Sequence, residues 1–172
     1  MSTPATAAGR PGGRLVPVLA ALSVLLLAAA VALTLTVRNH RSDQTALEDA
    51  REGAVTAARQ LLLNFDGLSA TSFDRNFALV TAGSTGDFKD SFTKARADLR
   101  SVVVGNRTDS MGTVLAAAVV RADTDTATVL VAVDRRIKDK TKPQGVVAHD
   151  RWQLAMEKHG GMWLVADLQP VA

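Results

Sequence analysis

The sequence predicts an α+β protein: an N-terminal transmembrane helix, then a cone of three helices and a four-stranded antiparallel curved sheet. The first observation is that apolar residues recur at spacings of three and four from residue 43 to 102, as in helices. The second is that apolar and polar residues alternate from residue 113 onward, as in strands. A run of helices followed by a run of strands is typical of α+β domains.

The third observation is an uncharged apolar segment, Leu15–Val37. At about 1.5 Å per residue it is long enough to span roughly 30 Å of hydrocarbon. Ala30-Val31-Ala32 resembles a signal-peptide cleavage pattern, but the segment exceeds the usual apolar core of about 7–15 residues. We therefore expect a retained single-pass anchor in the cell membrane. Residues 1–14, rich in Pro, Gly and Ala, are expected to form a disordered cytoplasmic tail, with the C-terminal domain extracytoplasmic.

A linker or stalk helix is expected over residues 38–66, leading into a cone domain over residues 67–172. Its apolar stripe is alanine-rich near the membrane, and small side chains bury little area but permit close helix approach. This part of the stripe is expected to stay free of the domain's own core and to bind a partner helix. The candidate partner-binding residues are Ala50, Ala54 and Ala58.

Two further helices are predicted before the sheet. Ser72 is a plausible N-cap for a short helix that turns Phe73, Phe77 and Val80 inward. After Gly83–Gly86 a single longer helix is expected, ended by Gly105-Asn106. Its inward residues are predicted to be Phe88, Phe92, Ala95, Leu99 and Val102.

Four strands are predicted to form a meander. They cover residues 113–122, 126–137, 146–158 and the segment after Gly160-Gly161, which should pair with the strand carrying Trp152. The first strand is apolar on both faces, which predicts an interior position in the sheet. Residues 138–145 are predicted to form a loop. The basic run from Arg135 to Lys142 is interpreted as a soluble hairpin tip, and the alternative is a contact with anionic head groups or an acidic partner surface.

Composition excludes several classes of function. The net charge of +3 comes from four arginines that flank the apolar segment, while the remaining chain is nearly neutral. There is no tyrosine for base stacking, so we do not expect nucleic-acid binding. The three histidines are dispersed and there is no cysteine, so neither a metal site nor a cofactor is expected.

Asp150 is the candidate for chemistry, because strand alternation places it on the inward face with Trp152. A carboxyl group in an apolar pocket can acquire a pKa in the working range. The alternative is that Asp150 lies at the rim, solvated or paired with an arginine of its own or the preceding strand. No second polar residue in phase supports catalysis, so the domain is expected to be non-enzymatic. The candidate pocket residues are Phe77, Phe92, Leu99, Val131, Asp150 and Trp152.

Three segments carry a family resemblance: GDFKDSF (86–92), TATVLVAVD (126–134) and the terminal WLVADLQPV. With the single apolar anchor and the alanine-rich linker, the chain from about residue 15 resembles the Mce-associated membrane proteins. These proteins accompany the mammalian-cell-entry (Mce) lipid-uptake systems of actinobacteria. The resemblance implies a nuclear-transport-factor-2-like, or cystatin-like, cone held outside the membrane.

The same resemblance implies a function for the chain. It would be an accessory, stabilising protein of a Mce-type transporter of lipids or sterols. Its partners would be transporter subunits or related accessory membrane proteins, together with membrane lipid. The alternative is a cone that binds a small hydrophobic ligand or carries cyclase- or isomerase-like chemistry around Asp150.

Overall fold

The fold was obtained as a computed structural model, which describes residues 44–171. The predicted tail and transmembrane segment lie outside this range. Among the described residues, no helix is both long and apolar enough to cross a membrane. Residues 45–172 form one compact unit, so the predicted stalk helix is part of the domain from Thr45 onward.

Within the described range the chain forms four helices followed by four strands. The helices are α1 (44–66), α2 (Phe73–Ala82), α3 (Gly86–Lys94) and α4 (Arg96–Gly105). The strands are β1 (Asp109–Ala122), β2 (Thr126–Lys138), β3 (Val146–His159) and β4 (Met162–Pro170).

The alanine stripe of α1 is packed along its whole length. Ala50, Ala54 and Ala58 are 1%, 0% and 0% exposed and belong to the main core cluster. Gly53 lies so close to Trp163 that an added Cβ would be 2.9 Å from the indole ring. The expectation that these alanines stay free for a partner is therefore wrong. Small side chains let α1 approach the domain's own sheet instead.

Enlarging these alanines should destabilise the domain. Each of Ala50→Leu and Ala54→Leu adds three carbons to a filled site, which costs typically about 1–3 kcal/mol. Thermal unfolding of the single variants should show a lower Tm than the wild type. The matched control is Ala46→Leu, on the exposed part of the same helix, which should change stability by about 0.5 kcal/mol or less. Unchanged melting of Ala54→Leu would contradict the packing described here.

The helix predicted between residues 86 and 104 is divided into α3 and α4. The break is at Ala95, whose ψ of −1° departs from the helical value near −42° and changes the direction of the helix. As a result Val102 is exposed, contrary to expectation, and Val103 packs on the core instead. Phe92 and Leu99 keep their predicted inward positions.

The sheet is the predicted antiparallel meander, in the order β1-β2-β3-β4. The first hairpin is closed by Asp123, whose carboxylate accepts hydrogen bonds from the backbone N–H groups of Asp125 and Thr126 at 2.9 and 2.6 Å. The last is closed by Gly160 and Gly161, both at positive φ, a conformation that glycine adopts without strain. Register shifts in β1 and at the β3–β4 pair introduce bulges, which bend the sheet.

β1 is an edge strand, not the interior strand that its composition predicted. It pairs only with β2 in the described sheet, and Leu115 and Val120 on its outer face are each 61% exposed. The inner face of the sheet carries the core instead. Its fully buried members include Val129, Val133, Leu154, Met156 and Val165.

β4 is held on both sides. It pairs with β3 along one edge, and on the other the loop after α2 forms a parallel bridge between Ser84 and Val165. Val165 donates its N–H to the Gly83 carbonyl at 2.9 Å and accepts from the Thr85 N–H at 2.8 Å. The prediction that the terminal strand pairs beside the Trp152 strand is therefore confirmed.

Candidate functional site

Most of the predicted pocket residues come together as packed core, and Val131 and Trp152 also line a small apolar pocket of about 200 Å³. The Phe77 and Phe92 rings stack with centroids 4.5 Å apart, and Phe65 contacts both Phe92 at 6.0 Å and Trp152 at 5.9 Å. Val131 is buried, and Leu99 packs against the same cluster. The aromatic rings thus occupy the region where the sequence predicted a ligand pocket.

Asp150 is paired with an arginine of the preceding strand, one of the two arrangements expected for it. Its Oδ2 accepts a hydrogen bond from Arg135 Nε at 2.9 Å, and its side chain is 23% exposed. Arg135 lies within β2, in agreement with the predicted strand over residues 126–137, so the basic run from Arg135 to Lys142 is not a loop along its whole length. Val133 is the register partner of Asp150, which makes Arg135 its diagonal neighbour across the two strands.

A second carboxylate, Asp66, completes this polar cluster. Its side chain is fully buried, and Arg135 Nε lies 3.6 Å from its Oδ1. Neither of its carboxylate oxygens accepts a hydrogen bond from any residue between 44 and 171. Burial raises the pKa of Asp66 to about 6; the Arg135 charge opposes this rise and the Asp150 charge adds to it.

The backbone around Asp66 explains how a charged side chain reaches the interior. Asp66 is the last helical residue of α1, and its carbonyl accepts a hydrogen bond from the Ser110 hydroxyl at 2.6 Å. Ser69 Oγ also bonds to the Ser110 backbone at 2.9 Å, which fixes the end of α1 on β1. Gly112 leaves the space, since a Cβ there would be 2.6 Å from Asp66 Cβ.

The polar cluster of Asp66, Arg135 and Asp150 offers few groups that could take part in chemistry. The Asp66 carboxyl, with a pKa of about 6, can exchange a proton, and the Asp150–Arg135 pair lies beside it. The Trp152 Nε1–H is also buried, with no hydrogen-bond partner among the described residues. Among residues 44–171, no group of three or more His, Cys, Asp or Glu side chains is placed to hold a metal ion.

A surface groove lies elsewhere, between α1, the end of α2 and the start of β4. Its volume is about 750 Å³. Trp163 and Leu164 contribute to its lining, with Leu79 from α2 and a face of α1 that includes Thr56 and Ala57. We call this feature the α1–β4 groove.

Sequence reasoning missed both Asp66 and the groove. Asp66 is the last residue of the predicted linker helix, and nothing local shows that a residue at a helix end will be buried. The available signal was Gly112 in an otherwise regular strand, since a strand glycine often marks a close approach.

Solved structures share this fold. The periplasmic domain of DotI aligns with a TM-score of 0.57 at 7% identity, covering 68% of this chain and 91% of that one. An IcmL-like type IV secretion system protein from Legionella pneumophila aligns with a TM-score of 0.56 at 12% identity, covering 69% and 91%. VirB8 from Agrobacterium tumefaciens gives 0.50 at 10% identity, covering 67% and 88%. Identities this low show the fold alone, a nuclear-transport-factor-2-like cone.

Relatives in sequence are mycobacterial. Rv1362c of Mycobacterium tuberculosis strain H37Rv is 30% identical over 162 residues, which cover 91% of this chain and 71% of Rv1362c. Rv1363c of the same strain is 28% identical over 112 residues, which cover 65% of this chain but only 43% of Rv1363c. The model of the family described as "Uncharacterized protein Rv1363c/MT1408-like" matches residues 15–169. The chain therefore belongs to the Rv1363c/MT1408-like family.

Proposed function

We propose that this protein is a non-enzymatic accessory subunit that stabilises a Mce-type lipid or sterol transporter through protein–protein contacts. In this proposal residues 15–37 anchor the chain in the cell membrane and the cone is extracytoplasmic. The observation that carries the proposal is the packed interior, where successive ring contacts join Phe77, Phe92, Phe65 and Trp152. Beside Trp152 this packing leaves a pocket of only about 200 Å³. A cone filled by its own side chains favours a scaffold over an enzyme.

The segments that carry the Mce resemblance are structural elements of the cone. GDFKDSF forms most of α3 and places Phe92 in the core, and TATVLVAVD forms the buried half of β2. The terminal segment forms β4. The same cone occurs in the periplasmic domain of DotI and in an IcmL-like type IV secretion system protein, so the fold is compatible with membrane-bound assemblies.

Deleting the protein from its native host should lower the membrane abundance of Mce-type transporter subunits. Loss of a stabilising partner exposes those subunits to unfolding and proteolysis. Quantitative mass spectrometry of membranes, together with uptake of a labelled sterol and a labelled fatty acid, would measure the effect. The wild-type chain should restore both. Unchanged subunit levels and unchanged uptake in the deletion strain would refute the proposal.

A second candidate function is ligand binding or proton chemistry at the polar cluster. It is favoured by the buried Asp66 oxygens and the Trp152 N–H, which lack hydrogen-bond partners among the described residues. The variant Asp150→Asn separates the two candidates. A scaffold carrying this substitution should restore transporter levels fully, whereas loss of uptake with normal transporter levels would favour chemistry at the cluster.

A further inference from the structure

The α1–β4 groove follows one face of a helix. Its α1 residues recur at intervals of three and four, and they extend over about 22 Å at 1.5 Å per residue. They are Asp49, Glu52, Gly53, Thr56, Ala57, Gln60, Leu61 and Asn64. This face differs from the stripe of Ala50, Ala54 and Ala58, which packs inward.

We propose that the α1–β4 groove binds an amphipathic helix of a partner protein, with a lysine or arginine of that helix placed beside Asp49 and Glu52. The inference deepens the proposed accessory function by naming the contact surface and the chemistry of the partner segment. It rests on that function only for the identity of the partner, since the groove and its charges are properties of this chain.

The shape of the groove fits a helix. Thr56 and Ala57 are small, so a second helix can approach this part of α1 to the usual interaxial distance of about 8–10 Å. The opposite side offers apolar surface: Leu79 is 46% exposed and Met162 is 65% exposed. Burying these side chains under an apolar helix face would remove them from water, which favours association.

The charges that line the groove favour a partner helix with a basic residue at one end. Asp49 and Glu52 lie at one end, Gln60 and Asn64 lie toward the other, and none of the lining residues is a lysine or arginine. A basic residue on the partner would be complementary at the acidic end. A second copy of this groove would instead bring two more carboxylates and no cation of its own, which disfavours self-association through this surface.

The experiment uses the full-length chain in nanodiscs of zwitterionic lipid, with binding to empty nanodiscs subtracted. The probe is a labelled 18-residue helical peptide with a leucine–alanine stripe and two lysines at one end. A second peptide has glutamates in place of the lysines. Fluorescence anisotropy should show that the lysine peptide binds the wild type at least about tenfold more tightly than the glutamate peptide.

Two groove variants test the location. Thr56→Trp fills the groove and should weaken binding of the lysine peptide by at least about tenfold, whereas Leu63→Trp, at an exposed α1 position that does not line the groove, should leave it unchanged. The double variant Asp49→Lys/Glu52→Lys should reverse the preference between the peptides. Its charge-matched control, Asp90→Lys/Asp98→Lys, lies on exposed positions of α3 and α4 and should retain the wild-type preference.

Three results would overturn the inference. These are absence of peptide binding to the wild type, equal loss in the charge-matched control, and a wild-type dimer that Thr56→Trp dissociates. The last result would show that a second copy occupies the groove. Deletion of the protein could lower transporter levels while both groove variants restore those levels and bind the peptides as the wild type does. In that case the accessory function stands and the groove assignment fails.

Discussion

A chain that ends at Gly161 should no longer unfold cooperatively. It lacks β4, which pairs with β3 and supplies Trp163 and Val165 to the core. Loss of one large buried aromatic side chain costs about 3–5 kcal/mol, and small domains are stable by only about 5–15 kcal/mol. Removing the whole strand also leaves the β3 edge and the Gly83–Thr85 backbone without their hydrogen-bond partners.

Circular dichroism during thermal unfolding would measure the loss of the transition. The matched control is Met162→Ala, which keeps β4 but trims a side chain that is 65% exposed, and it should melt close to the wild type. A truncated domain that melts cooperatively near the wild-type temperature would show that β4 contributes little to stability.

The free energy of unfolding should fall as pH rises from about 4 to 7, because of Asp66. Its pKa is about 6 in the folded protein, against an ordinary value of 3.8, so the folded state binds more protons in this interval. Because proton binding is linked to folding, the free energy of unfolding is greatest below about pH 4 and decreases as the pH rises through the folded-state pKa of about 6. The shift corresponds to about 3 kcal/mol at about 1.4 kcal/mol per pKa unit.

Asp66→Asn should remove most of this pH dependence and raise the stability at pH 7.5, with little effect at pH 4. Arg135 keeps its hydrogen bond to Asp150, so the substitution does not strand the guanidinium. Three other carboxylates, Asp74, Asp123 and Asp139, have pKa values lowered by hydrogen bonds, so their contribution to stability increases with pH. That increase occurs below the ordinary pKa of 3.8 and therefore outside the interval from about pH 4 to 7.

Urea unfolding at both pH values tests the Asp66 expectation. Asp87→Asn, on an exposed position of α3, is the control and should retain the wild-type slope. A less stable Asp66→Asn at pH 7.5, with the slope retained, would mean that the Asp66–Arg135 attraction outweighs the desolvation of the carboxylate.

The elements of the described domain could be predicted because their periodic patterns are long and unmixed. Two of the three hairpin connections also follow from local chemistry, as the paired glycines at Gly160-Gly161 and the carboxylate of Asp123 show. The break at Ala95 has no such signal, since alanine favours a helix.

The features of the candidate site that could not be predicted have a common cause, because each depends on contacts between residues distant in sequence. The pairing of Asp150 with Arg135 was among the expectations, but its proximity to Asp66 depends on how α1 crosses β1. The alanine stripe predicts a partner contact only when its small side chains are considered without the rest of the fold. The contact between Gly53 and the Trp163 ring shows that the domain's own sheet packs against α1 where a partner helix was expected.

The contact between Gly53 and Trp163 has a consequence for the speed of folding. It joins α1 to β4, the first and last elements described, and the bridge from Ser84 to Val165 joins segments almost as distant. Closing such long loops costs chain entropy before any packing compensates for it. Such contacts form more slowly than the pairing within the three hairpins of the sheet. Until β4 arrives, the core lacks Trp163 and Val165, so the nascent domain exposes apolar surface and is more prone to aggregation than the finished one.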